Sequence, residues 1–447
     1  MDDSGVMPRP RGGMRVAPFN KWLTLLLLML VGLTNYMDRL SISILQVPIK
    51  AELGLSDTQL GAITGLSFSL VYTWAAIPIA RLADRLSPKR VILVCLAAWN
   101  GLTMLCGLAN GFLALAVLRM GVAIGEAGCS PAAQALLSHQ FPARQRGRAI
   151  AIWQMVFPLG TLLGIFSSGM LSAALGWRTT FVLLGGIGLA VVPLILFFLR
   201  DEPHGKADSG RAIAVASASM TEALQEILGS GAYRRLLAAG FLGAIPLNAA
   251  LNWNAPFYGR VFLLPIEQIT IIVALISGVG GALGMFGGGF LSDFLSRKDV
   301  RWYCWMPAAA MLVVPLMAAY QYRIAVTPML SLPAGIVGAI LLNCWIPPQA
   351  AIAQSLVQPS NRALAAGCIV VTAGLGGAAG PFATGVLSDA LVGHFSGPGD
   401  ALAWSLAIMS LTSLPAAVLF LLAGSRLKAD MAAFQSGQER AVGPVND

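Results

Sequence analysis

The sequence predicts an all-α integral membrane protein: twelve spanning helices in two pseudo-symmetric six-helix halves. Three observations carry this. Only 11% of the 447 residues are charged and 57% are hydrophobic, whereas a soluble domain carries about 25% charged residues. Hydropathy yields twelve stretches near the ~20 apolar residues that cross ~30 Å of hydrocarbon as helix. The second half of the chain also repeats features of the first.

Span 1 (22–46) begins WLTLLLLMLVGLT and runs on through NYMDRL (35–40). It is too long for a cleaved signal, lacks a small-residue cleavage site and carries charge at its far end. Span 2 (58–80) is followed by ARLADRLSPKR (80–90), then span 3 (91–109). Span 4 (112–138) contains RMGVAIGEAG (119–128) and is interrupted by Pro131. Span 5 (149–172) opens on RAIAIWQMVFPLGTLLG (148–164), and span 6 (177–199) closes the first half. The polar stretch that follows holds DEPHGKADSGR, which reads as a linker. TEALQEILGS comes next, with apolar residues at helical spacing that suit the membrane surface.

Span 7 (235–258) carries Asn248, Asn252, Trp253, Asn254 and Phe257. Span 8 (268–291) leads into GGFLSDFLSRK (288–298), the echo of the loop after span 2. Span 9 (303–322) precedes span 10 (329–356), which holds Asn343, Trp345 and Gln349 and is interrupted by Pro347 and Pro348. Span 11 (364–391) opens on RALAAGCIVVTAGLGG (362–377), the echo of span 5, and span 12 covers 401–424. The expected division is residues 1–200 for the half with the charged site, 201–234 for a cytoplasmic linker, and 235–447 for the second half with a short cytoplasmic tail. Duplicated halves with cargo between them at mid-membrane are a common transporter plan.

The basic excess does not point to nucleic acid. Most Lys and Arg fall in the N-terminus, the even-numbered loops and the C-terminus, with only Lys50, Arg178, Arg260 and Arg323 on the other side. This positive-inside pattern places both termini in the cytoplasm of a multi-pass protein of the cell's inner membrane. The six cysteines all lie in spans and read as free thiols; neither disulfide nor metal spacing appears.

Four charges lie deep inside spans: Asp38 and Arg39 in span 1, Arg119 and Glu126 in span 4. A charge at the bilayer centre costs ~2.5–3.5 kcal/mol on insertion scales, so these four should face a cavity and pair. Arg119 and Glu126 share a helix face but lie ~10.5 Å apart along it, too far for an ordinary contact. Asp38 and Arg39 diverge by roughly 100°, so at most one points straight into the cavity. Cross-helix pairing between spans 1 and 4 is the simplest arrangement. A packing-only role is an expensive use of charge, which favours function.

No histidine lies deep in a span, so a carboxylate must carry any coupled proton. Desolvation favours the neutral form of a buried carboxylate; glycine-rich surroundings that let it be buried yet mobile make Glu126 the first candidate, and Asp38, with Arg39 beside it, is the second. Protonating Glu126 leaves a net positive site and is expected to free Arg119 for an anionic group, with Arg39 beside it, since guanidinium offers paired donors. The second half has no deep charge. Tyr36, Asn248, Asn252, Trp253 and Asn343 complete the expected binding surface, which suits a charged head on one side and an apolar tail on the other. No nucleophile, base or metal constellation marks an enzyme, no phosphate loop marks direct ATP drive, and the one-sided charges do not form a channel ring. A monomer is expected, with the bilayer and an amphiphilic or anionic cargo as its partners and with protons in place of any cofactor.

These stretches resemble the major facilitator superfamily, whose loop signature has the form G-x-x-x-D-R-x-x-x-R/K. Asp84, Arg85, Lys89 and Arg90 match the first copy, with Ala80 for its glycine; Gly289, Asp293, Arg297 and Lys298 match the second, with Phe294 for a basic residue. NYMDR, GEAGCSPAA and FPLGTLLG resemble the spinster-like branch. That resemblance implies proton-coupled secondary transport by alternating access, of a lysolipid or sphingoid-type lipid, with the aspartate, glutamate and arginines of spans 1 and 4 involved. Organic-anion:proton symporters of the same superfamily carry similar N-Y-x-D-R and G-E-A stretches. A symporter of small organic or sugar acids, or a drug or metabolite exporter, is therefore the alternative. Asp84, Arg85, Arg90, Arg148, Asp293, Arg297 and Arg362 are the expected cytoplasmic gate, formed when the cavity opens outward.

Overall fold

The computed structural model describes residues 21–83, 87–199, 220–358 and 361–442. Among these, ten helices are long and apolar enough to cross a membrane. One of the ten, Arg144–Phe198, is really two, because the chain turns at Gly176 with φ of 78°, a conformation that glycine adopts without strain. Asp57–Gly61, Ala62–Leu70 and Val71–Ala83 run on as one further helix. The twelve expected spans are thus all present.

They are α1 (Lys21–Leu53), α2 (the composite just given), α3 (Pro88–Cys106) and α4 (Phe112–Ser138). Next come α5 and α6, the two arms of Arg144–Phe198. The second half holds α7 (Gly231–Val261), α8 (Ile266–Ser296), α9 (Trp302–Ile324), α10 (Pro328–Ser355), α11 (Arg362–Leu391) and α12 (Pro398–Ala433). Several outrun the apolar stretches in the sequence, because helical hydrogen bonding does not stop where the hydrocarbon does. The linker is described only from Met220, where the short helix Met220–Gly229 buries Ile227 and Ala223 against the second half.

The breaks within helices have one cause. α4 turns at Gly128, α5 at Met155, α10 at Cys344 and α12 at Leu411. A proline follows within about one turn each time: Pro131, Pro158, Pro347 with Pro348, and Pro415. A proline ring clashes with the preceding turn and supplies no N–H to it, so the interruption falls ahead of the proline rather than at it.

The halves are built alike. Gly160 and Gly164 of α5 let Tyr36 and Met37 of α1 approach closely, and Gly376 and Gly380 of α11 do the same for the Phe241 and Ile245 carbonyls of α7. α2 and α8 each widen to a π-helix mid-span, at Ala62–Leu70 and Ala274–Gly280, a feature common near functional sites. At the end bearing the chain termini, the Asp430 carboxylate accepts from Ser230 Oγ at 2.7 Å and the Ala232 N–H at 2.8 Å. Lys428, 2.7 Å away, and the Arg301 backbone N–H hold the Asp299 carboxyl below the usual carboxylate range.

The halves touch chiefly toward the end remote from the termini, where α2 lies directly on α11. A Cβ on Gly65 would collide with the Ala378 carbonyl, and one on Gly385 with that of Asp57. Gly65→Leu is expected to force α2 from α11 at an overpacking cost of about 1–3 kcal/mol. A spin-label distance between these helices should then lengthen; an unchanged distance contradicts the close packing.

Candidate functional site

The four intramembrane charges meet as two ion pairs between α1 and α4. Arg39 donates through Nε and Nη2 to Glu126 Oε2, at 3.2 and 3.0 Å. Arg119 donates through Nη1 to both oxygens of Asp38, at 3.4 Å each. Each pair joins the two helices, and charge sign then leaves only this choice of partners. Gly121 and Gly125 let another helix approach α4 closely, and that helix is α3. They seat Leu102 and Trp99 of α3.

The two pairs have different surroundings. The Arg119 and Asp38 side chains are 1% and 3% exposed, while Arg39 is 23% exposed and Glu126 fully buried. Arg39 lines both lobes of a central cavity, of about 340 and about 230 Å³. Arg119 reaches the smaller lobe only. This corrects the expectation that protonating Glu126 would release Arg119: the arginine held by Glu126 is Arg39. Neither carboxylate lines the cavity: Asp38 and Glu126 both sit behind the arginines they hold.

Neither pair is saturated. Among the described residues, Glu126 Oε1 and Arg119 Nε are buried without a hydrogen-bond partner. The oxygen of Glu126 that accepts nothing is one to which a proton can add without displacing an existing donor.

Aromatic rings hold Arg39 on its other sides. Its guanidinium carbon lies 4.4 Å from the Tyr72 ring centre, 5.1 Å from Phe68 and 5.2 Å from Tyr36. Phe68 also faces the Arg119 guanidinium at 5.0 Å. A cation between aromatic faces keeps part of its stabilisation when a carboxylate leaves. Tyr36 was expected at the site; Phe68 and Tyr72 of α2 were not. Their one-turn spacing was the available signal, but it looks the same as ordinary membrane packing.

The opposite wall comes from the second half. Asn248, Asn254 and Asn343 line the larger lobe, and Asn248 and Asn252 the smaller one. Leu247, Leu251, Ile276, Val314, Leu342 and Leu406 make most of the larger lobe apolar. Behind them lies a neutral network, in which Asn254 Oδ1 accepts from Gln321 Nε2 at 3.2 Å and Tyr322 Oη at 2.8 Å. Trp253 is misplaced as a binding residue. It is fully buried, and its indole N–H donates 3.0 Å to the Pro381 carbonyl of α11. Helical rotation turns it 100° from Asn252 and into the helix interface. Trp253→Ala is expected to cost about 3–5 kcal/mol of stability while leaving transport per folded molecule intact, measurable by thermal unfolding alongside uptake.

The expected gate residues lie at the end bearing the termini. Asp84 and Arg85 fall outside the described residues. Arg90, Arg148, Asp293, Arg297 and Arg362 are exposed. No ion pair between described residues includes them; Asp293 accepts from Tyr303 Oη at 2.8 Å and Arg148 lies 5.8 Å from the Trp22 ring centre. Among the described residues these five make no ion pair with one another; the halves meet chiefly at the other end.

That other end carries a latch which the sequence did not single out. Asp57 of α2 is 1% exposed and accepts two bonds from Arg260 of α7, at 2.6 and 2.8 Å. Ser388 of α11 donates to it at 2.6 Å, and Lys50 of α1 also pairs with it. Asp389 caps the start of α2 by accepting from the N–H groups of Asp57 and Thr58, at 3.1 and 2.8 Å. Both halves are thereby tied at one point.

Comparison with known proteins places these features in a family. A family model described as Major Facilitator Superfamily matches residues 26–346. The chain is 31% identical over 427 residues to an MFS-type efflux pump of Mycolicibacterium smegmatis, covering 93% of this chain and 96% of that protein. It is 28% identical over 389 residues to a hexuronate transporter of Bacillus subtilis, covering 85% and 90%. The fold matches the crystal structure of a bacterial homologue of the human lysosomal transporter Spinster, inward-facing and unoccupied. The TM-score is 0.85 at 25% identity, over 94% of this chain and 99% of that one.

Proposed function

The chain belongs to the Major Facilitator Superfamily and is a multi-pass secondary transporter, not an enzyme, similar to the superfamily's spinster branch; from that premise we propose that it moves an amphiphilic anion by proton-coupled alternating access. The observation that carries this reading is the asymmetry of the cavity. Arg39 offers a cation at its wall, and across from it α7, α9, α10 and α12 present Leu247, Val314, Leu342 and Leu406. A phosphate or carboxylate head at Arg39 and an acyl tail on the apolar wall match both surfaces, as in a lysolipid or a sphingoid-type lipid.

The proton enters through the two cross-helix pairs. A proton on Glu126 neutralises the partner of Arg39, and the guanidinium then has donors for the anionic head. Proton and anion bind together because each removes a reason against the other: the proton frees the cation, and the anion compensates it. Asp38 keeps its pair with Arg119 and holds α1 and α4 in register. In this reading the latch at Asp57 closes the external face of an inward-facing state, both termini lie in the cytoplasm of the inner membrane, and the protein works as a monomer. Opening outward exchanges that latch for contacts of the loops after α2 and α8 with the starts of α5 and α11. Rigid-body rocking of such halves about a central site is the general mechanism of the fold.

Likeness to the hexuronate transporter favours a second reading, a symporter of small sugar acids. Purified protein in liposomes under an imposed pH gradient separates the two, with labelled lysophosphatidate and labelled glucuronate offered in turn. Gradient-driven accumulation of the lysolipid alone supports the amphiphile. Accumulation of glucuronate alone overturns it.

A further inference from the structure

The asparagines across the cavity from Arg39 offer it mainly acceptors. Asn248 donates its Nδ2 to the Ala244 carbonyl at 2.9 Å, Asn252 to the Asn248 carbonyl at 2.9 Å, and Asn343 to the Ala339 carbonyl at 2.8 Å. A backbone carbonyl only accepts, so the amide nitrogen must be the atom turned toward it, which settles the orientation of each side chain. Every one of the three then keeps an amide oxygen whose lone pairs bond to no other described residue. Two of the lining hydroxyls behave likewise: Thr73 gives its proton to the Ser69 carbonyl at 2.7 Å, and Ser410 gives its own to the Ala407 carbonyl at 2.6 Å. Both therefore face the cavity as acceptors.

Back-bonding of this kind is how helices in lipid satisfy polar side chains, and it has a consequence for recognition. Except for Asn254, whose oxygen is already taken by Gln321 and Tyr322, the amides lining this cavity seek donors. Resting on the reading above, we infer that the cargo carries hydroxyl donors next to its anionic group, and that Asn248 and Asn343 select for them. A hydroxyl fits better than an ammonium. Asn248 lines both lobes together with Arg39, so an ammonium on its oxygen would be drawn toward a like charge. The cargo is then a hydroxylated amphiphilic anion: head on Arg39, hydroxyl on the amide oxygens, tail on the apolar wall.

The test uses the full chain in liposomes and two probes that differ in one atom, 1-oleoylglycerol 3-phosphate and its 2-deoxy analogue. Both offer the same phosphate to Arg39 and the same tail. Wild-type protein should take up the hydroxylated probe about tenfold faster at limiting concentration, the worth of one hydrogen bond whose acceptor is otherwise left desolvated and unpaired. Asn248→Ala combined with Asn343→Ala should bring that ratio toward one. Equal uptake of the two probes by wild type overturns the inference and leaves the amphiphile reading standing, whatever the variant does. Uptake of neither probe overturns both.

Discussion

Glu126→Gln is expected to abolish gradient-driven accumulation of the cargo while exchange of labelled for unlabelled cargo continues. Glutamine has the shape of protonated glutamic acid and cannot release a proton. In the native site Oε2 holds Arg39 at 3.0 Å and Oε1 has no partner among the described residues. The variant keeps an oxygen for the first contact, at reduced strength, and leaves Arg39 available to an anion at every pH. One pH unit is worth about 1.4 kcal/mol per proton, so wild type coupled to one proton should concentrate cargo about tenfold per unit of gradient. The variant should concentrate it not at all. Accumulation by the variant at the wild-type level would assign the proton elsewhere, with Asp38 the next candidate.

Arg260→Ala is expected to move the protein away from the state described here. Asp57 is buried and takes two of its bonds from Arg260. Removing one partner of a buried pair costs about 3–5 kcal/mol, because the other charge remains desolvated. Lys50 and Ser388 retain part of that, so the lower figure is the better guide. The loss falls only on the state in which α2, α7 and α11 converge. A difference near 3 kcal/mol changes the ratio of two conformations roughly 10²-fold. Cysteines introduced beside Leu55 and in the α7–α8 loop should become accessible to a membrane-impermeant thiol reagent. Labelling that stays at the wild-type level would mean that the latch decorates a closure made by helix packing alone.

The fold was legible in the sequence because the bilayer imposes its own length scale. Every expected span is a helix; most ends moved outward where helices continue into loops, while α3 stops at Cys106, three residues before the expected 109. The membership of the charged site was legible for a related reason: in hydrocarbon a charge needs a partner, and only four residues were candidates. Which of them faces the cavity was not. Asp38 and Arg39 are adjacent in sequence, and periodicity sets the angle between them but not which one faces the cavity. That depends on the rotation of α1, which is fixed by Gly160 and Gly164 of α5 admitting Tyr36 and Met37. Arg119 was therefore given the role that geometry offers to Arg39.

Trp253 shows the same limit, since it stands between two cavity-lining asparagines and yet turns into the α7–α11 interface. Asp57 marks a second limit. An acid at a helix start reads as an ordinary cap, and its significance comes from Arg260, far along the chain and in the other half. The acceptor character of the cavity was hidden for a third reason: a sequence shows an asparagine but not which end of its amide the backbone has already claimed.

The central claim, that the anion and a proton on Glu126 bind as a linked pair, is tested most directly by counting protons. Lysophosphatidate is added to the purified, weakly buffered protein near neutral pH, and the proton change is read with an indicator dye. Linkage requires proton uptake upon binding, approaching one per anion bound at pH values where Glu126 is ionised in the unoccupied protein. Glu126→Gln should bind the same lipid with no uptake. Binding by wild type without proton uptake from pH 6 to 9, or equal uptake by Glu126→Gln, would contradict the claim.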